Sequence, residues 1–159
     1  MIKAYHASEK SFDTFITDPF SEEKRIYGGG VNLLGAFFSE AKEVAKSYPF
    51  SSETRTQYVY ECELNIVNPK VYNTLTTIIY AMEKMAKKEG IKTYGSEQRN
   101  SAKVFKDYLI SQGYDGITFK EGKSYSNTRN KKPIWVAFSS DQITILSKTK
   151  GERVVPKTV

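Results

Sequence analysis

Residues 28–49, with the sequence GGGVNLLGAFFSEAKEVAKSYP, contain the pattern that decides the fold. Three glycines open the segment, and a short apolar run follows them. After Ser39 the apolar residues recur at the three- and four-residue spacing of one helix face. Ser39 is suited to cap that helix, and Pro49 ends it directly after Tyr48. The segment therefore predicts a glycine loop, a short buried strand and a helix that delivers one aromatic ring to a fixed place.

The chain has the length and composition of a single globular domain. Its 159 residues are 39% hydrophobic and 13% aromatic, which is enough to build a buried core. We expect one domain over residues 1–147 and a loosely held tail over residues 148–159. No apolar run approaches the length of a membrane span, and the N-terminus lacks the pattern of a signal peptide. These features predict a cytoplasmic protein without a membrane partner.

The cysteine count and the missing motifs exclude several chemistries. The single cysteine, Cys62, allows neither an internal disulfide nor a cysteine-based zinc cluster. The sequence contains no HExxH, GxSxG or Walker motif, so the metal-hydrolase, serine-hydrolase and nucleoside-triphosphatase classes lack support. We expect no metal, and we expect Cys62 to be a buried small apolar residue.

Positive charge is concentrated in one polar segment. The chain carries a net charge of +6, and residues 120–132 hold five basic residues against one acidic residue, Glu121. Such a segment could contact nucleic acid, an acidic partner or the phosphates of a ligand, and it could equally be a solvated surface. Charge alone does not choose among these functions.

Hydrophobic periodicity predicts an α+β fold. Alternation of apolar and polar residues predicts a strand over residues 57–66, and a first strand ends at His6, the only histidine. Small residues follow His6 and would let a ligand approach it, although a hydrogen-bonded structural histidine is the alternative. Further helices are expected from Leu75 to the break at Gly90 and over residues 101–112, and further strands over residues 115–119, 134–138 and 142–146. This layout suits one concave, aromatic-lined cleft for a planar ligand.

Short motifs follow one another in a family-specific order. They are YHAS at residues 5–8, GAFFS at 35–39, YVYECEL at 58–64, GYDGI at 113–117 and WVAFSSDQI at 135–143. Together they resemble the ADP-ribosyltransferase fold, in particular the ADP-ribosyltransferase-like domains of phage and mobile-element polyvalent proteins. The resemblance implies an α+β fold with a split antiparallel β-sheet core, flanking helices and a cleft for NAD.

The resemblance also implies a site built on a histidine, a tyrosine and a glutamate. His6 would hydrogen-bond the nicotinamide ribose of NAD, Tyr48 would stack on the nicotinamide ring, and backbone near Ala7 would hold the carboxamide. The glycine loop would lie over the dinucleotide. The full set of residues implied to contact NAD is His6, Ala7, Ser8, Gly28, Gly29, Gly30, Phe37, Phe38, Ser39 and Tyr48.

The sequence departs from the family at the glutamate position, which is Ile134. Isoleucine can neither accept a hydrogen bond from a ribose hydroxyl nor stabilise the positive charge that develops as nicotinamide leaves. Three alternatives follow. A carboxylate of the acceptor could supply the charge, Glu121 could reach the site from the basic segment, or the protein has lost transferase activity and kept the fold for binding.

The leading hypothesis is a mono-ADP-ribosyltransferase of a phage or mobile element that modifies a protein acceptor in the cytoplasm. The first alternative is an inactive protein of the same fold that binds and inhibits a host or phage factor. The second is a transferase directed to nucleic acid through the basic residues 120–132.

Overall fold

A mixed β-sheet runs through the part of the chain that the structure, a computed structural model, describes: residues 1–21, 28–47, 55–120 and 132–153. Its strands are β1 (Ile2–Ser8), β2 (Ala36–Ser39), β3 (Thr56–Leu64), β4 (Pro69–Val71), β5 (Gly116–Phe119), β6 (Ile134–Ala137) and β7 (Ile143–Glu152). The α-helices are α1 (Lys42–Ser47), α2 (Leu75–Lys88) and α3 (Gln98–Ser111). None of the helices in these ranges has both the length and the apolar character that crossing a membrane would need.

The sheet is divided between β1 and β2. The strand order is β4-β5-β6-β2-β1-β3-β7, and only the β4–β5 pair among these described strands is parallel. β1 pairs with β3 along its whole length, from Ile2 to Ser8. With β2 it is in register only at Tyr5 and Ser39. The predicted α+β architecture with a split sheet is confirmed, although the β4–β5 pair makes the sheet mixed rather than wholly antiparallel.

Side chains on successive strand residues alternate between two faces, each of which carries a core. We call the face that carries His6 the histidine face, and the opposite one the helix face because α2 and α3 pack there. The histidine-face core comprises Ala4, Phe15, Ala36, Phe38, Tyr60, Cys62, Leu64, Ile66 and Ala137. The helix-face core comprises Val31, Leu33, Leu34, Val44, Ile78, Met82, Ala102, Phe105, Leu109, Ile117, Phe119, Ile134, Val136 and Phe138.

Helices α2 and α3 follow from local sequence signals. Thr74 and Thr77 form a reciprocal capping box at the start of α2, and Ile78 and Met82 bury the stripe that predicts this helix. Helix α3 begins at Gln98 rather than at residue 101. The expected breaks at the ends of both helices are glycines with positive φ, Gly90 and Gly113.

The glycine run is not an open loop. It forms the start of a 3-10 helix, Gly28–Leu33, that packs against α3. Gly30 has a φ of 95°, and a Cβ there would lie 3.3 Å from the carbonyl oxygen of Gln98. Close approach to a helix, rather than freedom to move, is what this glycine provides.

The last strand is longer than the sequence predicts. β7 continues to Glu152 and pairs there with Thr56 at the start of β3. The expectation of a loosely held tail is therefore wrong for residues 148–152, because non-local pairing with β3 orders a polar stretch that has no alternation of its own. Residues 154–159 lie outside the described residues, as do Tyr48 and Glu121.

Candidate functional site

His6 on β1 contacts β2 across the division of the sheet. Its Nδ1 atom lies 2.6 Å from the carbonyl oxygen of Phe37 on β2. A carbonyl oxygen can only accept, so Nδ1 carries the proton of this hydrogen bond. In the neutral ring the acceptor is then Nε2, and the bond to Phe37 helps to orient the side chain.

Four aromatic rings surround the imidazole. Phe15 meets it edge-on with ring centroids 5.0 Å apart, and the centroid of Phe38 lies 5.6 Å away. Tyr60 and Phe12 complete the group at 6.3 and 6.4 Å. His6 itself is half-buried. Packing by these rings restricts the orientation of the imidazole.

Two of these rings belong to the segment after β1, which covers the histidine face. The hydroxyl of Tyr60 donates to the carbonyl oxygen of Lys10 at 2.9 Å and accepts from the backbone N–H of Phe12 at 2.9 Å. The ring of Phe12 stacks on that of Tyr60 with centroids 4.4 Å apart. Lys148 on β7 donates from Nζ to the hydroxyl of Ser11 at 2.8 Å. The sequence predicts Tyr60 on an apolar face but gives no sign of these partners, which are 48 and 50 residues away.

The backbone beside His6 is open on one side. Ala7 and Ser8 pair with Val59 and Tyr58 of β3, and among the described residues none of β2 is in register with them. The second edge of β1 at these residues is therefore outside a ladder. A primary carboxamide presents N–H donors beside a carbonyl acceptor, and these pair with the C=O and N–H groups of a strand edge. The resemblance implies that this backbone, near Ala7, holds the carboxamide of nicotinamide.

Other predicted site residues have structural roles in the described part of the chain. Ser39 is 1% exposed, and its Oγ accepts from the backbone N–H of Ala41 at 3.0 Å, which orders the turn before α1. The prediction that Ser39 caps the helix is wrong, because α1 begins at Lys42 and the carbonyl oxygen of Ala41 accepts its first hydrogen bonds, from Val44 and Ala45. Phe38 is 1% exposed within the histidine-face core. Gly28, Gly29 and Gly30 form the 3-10 turn against α3. The structure brings His6 and the backbone of Phe37 and Ala7 together, whereas Tyr48 and Glu121 lie outside the described residues.

Ile134 lies on the opposite face from His6. Its Cα is paired with that of Ser39, one residue beyond Phe38, so strand alternation turns Ile134 toward the helix face. The side chain is 1% exposed and belongs to the same core as Val44 of α1. It is a packed apolar residue and supplies no charge.

A carboxylate outside the set of residues that the resemblance implies, that of Glu40, lies next to position 134. The backbone N–H of Glu40 donates to the carbonyl oxygen of Pro133 at 3.2 Å. Its Oε2 accepts from the indole Nε1 of Trp135 at 2.8 Å. Trp135 is paired with Phe38, which places this contact on the histidine face. Its partners are 93 to 95 residues away in sequence, and no local pattern signals the contact.

The thiol of Cys62 and the arrangement of possible metal ligands also bear on the chemistry. Cys62 is completely buried, and burial raises the pKa of its thiol to about 12, so it is not a nucleophile near neutral pH. Among residues 1–21, 28–47, 55–120 and 132–153, no group of three or more histidine, cysteine, aspartate or glutamate side chains is placed to hold a metal ion.

Comparison with protein families identifies the fold. Residues 1–153 match the family model described as ADP-ribosyltransferase in polyvalent proteins. The chain belongs to this family. The match extends from β1 to the end of β7 and so contains the divided sheet and His6. ADP-ribosyltransferases of this family use NAD as their substrate. Searches of curated proteins and of solved structures give no significant match.

Proposed function

We propose that this ADP-ribosyltransferase uses NAD to attach a single ADP-ribose to a protein acceptor, as an effector of a phage or mobile element. The observation that carries the proposal is the hydrogen bond from His6 to Phe37 across the divided sheet. It orients the one histidine of a chain that belongs to an NAD-using family, beside a strand edge that fits a carboxamide.

His6, Ala7 and Tyr48 have separate tasks in the proposed site. Nε2 of His6 accepts a hydrogen bond from a hydroxyl of the nicotinamide ribose, because Nδ1 is engaged with Phe37. Backbone near Ala7 holds the carboxamide, and the ring of Tyr48 stacks on nicotinamide. Ser8 and the glycine run adjoin these groups in sequence, and we assign them to the same NAD-binding region.

The reaction breaks one glycosidic bond and forms another. The bond between ribose C1′ and the pyridine nitrogen breaks, and its electron pair leaves with nicotinamide as the neutral base. A nucleophilic side chain of the acceptor then bonds to C1′ and gives up its proton to a base. Positive charge develops on the ribose between these events, and a nearby carboxylate would lower the barrier.

That carboxylate cannot come from position 134, since Ile134 is apolar and buried. An acceptor carboxylate, Glu121 and Glu40 are the remaining sources. Exchange of Glu121 or Glu40 for glutamine, one at a time, tests the two that belong to this chain. If both variants keep the wild-type rate, neither Glu121 nor Glu40 is that carboxylate, and an acceptor carboxylate becomes the leading alternative.

The direct test incubates radiolabelled NAD and a cell lysate with wild type, His6→Ala or Tyr48→Ala. We expect labelling of a protein band by wild type and a loss of about tenfold or more in each variant. Lys3→Ala is the matched control, because Lys3 lies on the same strand and its ammonium is solvent-exposed in an ion pair with Glu61. Equal labelling by all proteins would reject the site assignment.

A second candidate function follows from Ile134 and from the charge of residues 120–132. An inactive protein of this fold would bind and inhibit a host or phage factor through the basic segment. Such binding would survive His6→Ala and Tyr48→Ala but would be lost when Lys131 and Lys132 are neutralised. A transferase directed to nucleic acid would instead label the nucleic acid fraction, with an affinity that falls steeply as salt rises.

A further inference from the structure

Helix α3 contains a buried lysine that the proposed reaction does not use. Lys106 is 5% exposed, and its Nζ donates to the carbonyl oxygen of Thr17 at 2.6 Å. The rings of Phe20 and Phe138 lie 5.7 and 5.6 Å from the same nitrogen. Lysine is among the residues least often buried, and a buried lysine is normally held by specific partners.

Some of the surroundings of Lys106 disfavour its positive charge, and others stabilise it. Burial lowers the pKa of Lys106, while the carboxylates of Asp18 and Asp107 act in the opposite direction. The two ring faces favour a cation, and the carbonyl oxygen of Thr17 accepts one of its protons. An apolar residue in this position would avoid the cost of burial but would leave the buried carbonyl of Thr17 without this donor.

The same helix also holds the two chain segments that flank residues 22–27. Arg99 donates from Nη1 to the carbonyl oxygen of Pro19 at 3.3 Å. On the other side, the Cα of Gly30 approaches α3 so closely that a Cβ would lie 3.5 Å from the Cβ of Ala102. Helix α3 is therefore a shared platform for residues 17–19 and for the glycine turn.

The segment anchored by Lys106 contacts the imidazole only two residues earlier. Phe15 is 6% exposed, and its ring meets that of His6 edge-on at 5.0 Å. At its other end the segment is held by Tyr60 and Lys148, as described above. Tyr60 of β3 and Lys148 of β7 thus hold the start of this segment, and Lys106 holds its end.

We propose that Lys106 is a positioning residue for the NAD site. Its contact with Thr17 fixes Phe15 against His6, and through Phe15 it fixes the orientation of the imidazole. The structural part of this inference is independent of catalysis, whereas its kinetic consequence rests on the proposed function.

The experiment compares Lys106→Met with Lys103→Met. Methionine matches the length of lysine and suits the rings of Phe20 and Phe138, so we expect the variant to fold. Lys103 is one turn away on α3, its side chain is 53% exposed, and its exchange removes the same charge. Because the chain has one histidine, the imidazole gives a single set of signals in a proton–carbon correlation spectrum.

We expect Lys106→Met to shift the His6 signals, because the ring current of Phe15 changes, and Lys103→Met to leave them in place. Lys106→Arg, which keeps a cationic donor, should return them toward the wild-type position. Signals of Lys106→Met that coincide with those of wild type, in a protein with a cooperative thermal transition, would overturn the inference. Should Lys106→Met fail to fold, Lys106→Arg and Lys106→Gln carry the same comparison.

The kinetic readout separates positioning from general damage. We expect Lys106→Met to raise KM for NAD by up to about tenfold, because it weakens at most the one hydrogen bond from His6 to the ribose, with kcat little changed. An unchanged KM together with shifted His6 signals would contradict the role in NAD binding. A wild-type protein that consumes no NAD would refute the proposed function, while the spectrum would still decide whether Lys106 orients His6.

Discussion

The imidazole of His6 and the backbone carbonyl of Phe37 close a gap that backbone pairing leaves open. β1 and β2 are in register at one residue pair. Beyond it they are joined by the 2.6 Å bond from Nδ1 of His6 to the Phe37 oxygen and by the packing of the imidazole against Phe38. The side chain of His6 here takes the place of a backbone hydrogen bond between the two strands. In the proposed site the same bond sets Nε2 as the nitrogen toward the ribose, so the structural and the functional readings of this histidine are compatible.

Exchange of His6 for phenylalanine tests both readings at once. The ring packing with Phe15 and Phe38 would survive, but the donor to Phe37 would be lost. We expect the free energy of unfolding to fall by about 1 kcal/mol and NAD turnover to fall about tenfold or more, as for His6→Ala. Urea unfolding and nicotinamide release measure the two effects. A variant that loses stability but keeps its turnover would leave His6 with a structural role alone.

Tyr60 is expected to be a principal anchor of the segment that covers His6. Tyr60→Phe removes the donor to Lys10 and the acceptor for Phe12 but keeps the ring stack with Phe12. We expect a loss of about 1–3 kcal/mol in the free energy of unfolding, because two backbone groups lose their partner. Tyr58→Phe, on the same strand face, is the control and should cost less. Equal losses in urea unfolding would show that the hydroxyl of Tyr60 is not an anchor.

The thiol of Cys62 makes stability depend on alkaline pH. Burial raises its pKa from 9.0 to about 12, so the folded protein keeps the proton that the unfolded chain loses above 9.0. The contribution is fully present below pH 9.0, and the free energy of unfolding then falls by up to about 1.4 kcal/mol per pH unit until about 12. The difference between wild type and Cys62→Ala in urea unfolding over this range isolates the effect from other titrating groups. A difference that stays constant with pH would contradict it.

Local sequence patterns predict those elements whose buried residues recur at the regular spacing of a strand or a helix. The alternation around Tyr60 predicts β3, and the stripe through Ile78 and Met82 predicts α2. Strand β4 escapes prediction because Asn68 and Pro69 read as a turn. Pro69 in fact opens a three-residue edge strand, one of the few strand positions that tolerate proline.

The site could be predicted only in part, and for a physical reason. The motif around His6 marks the histidine, since that information lies within a few residues. The groups that orient it come from β2, β3 and the segment before the glycines. The Lys106–Thr17 contact spans 89 residues and the Trp135–Glu40 contact spans 95. No periodicity encodes contacts of that separation, and a lysine on α3 reads as an exposed charge until the fold places Thr17 against it.

Gly30 provides the test of how the glycine turn is held. Gly30 and Gly90 both have positive φ, at 95° and 69°. A Cβ at Gly30 would lie 3.3 Å from the Gln98 oxygen, whereas nothing lies within 4 Å of one at Gly90. Gly90→Ala therefore reports the backbone strain alone, of about 1 kcal/mol, and Gly30→Ala adds the displacement of α3. We expect the second variant to lose up to about 1 kcal/mol more in urea unfolding, the low end of the range for overpacking, because the Gln98 carbonyl need shift by only a small distance. Equal losses would mean that the turn yields without disturbing α3, and that the glycines serve conformation rather than packing.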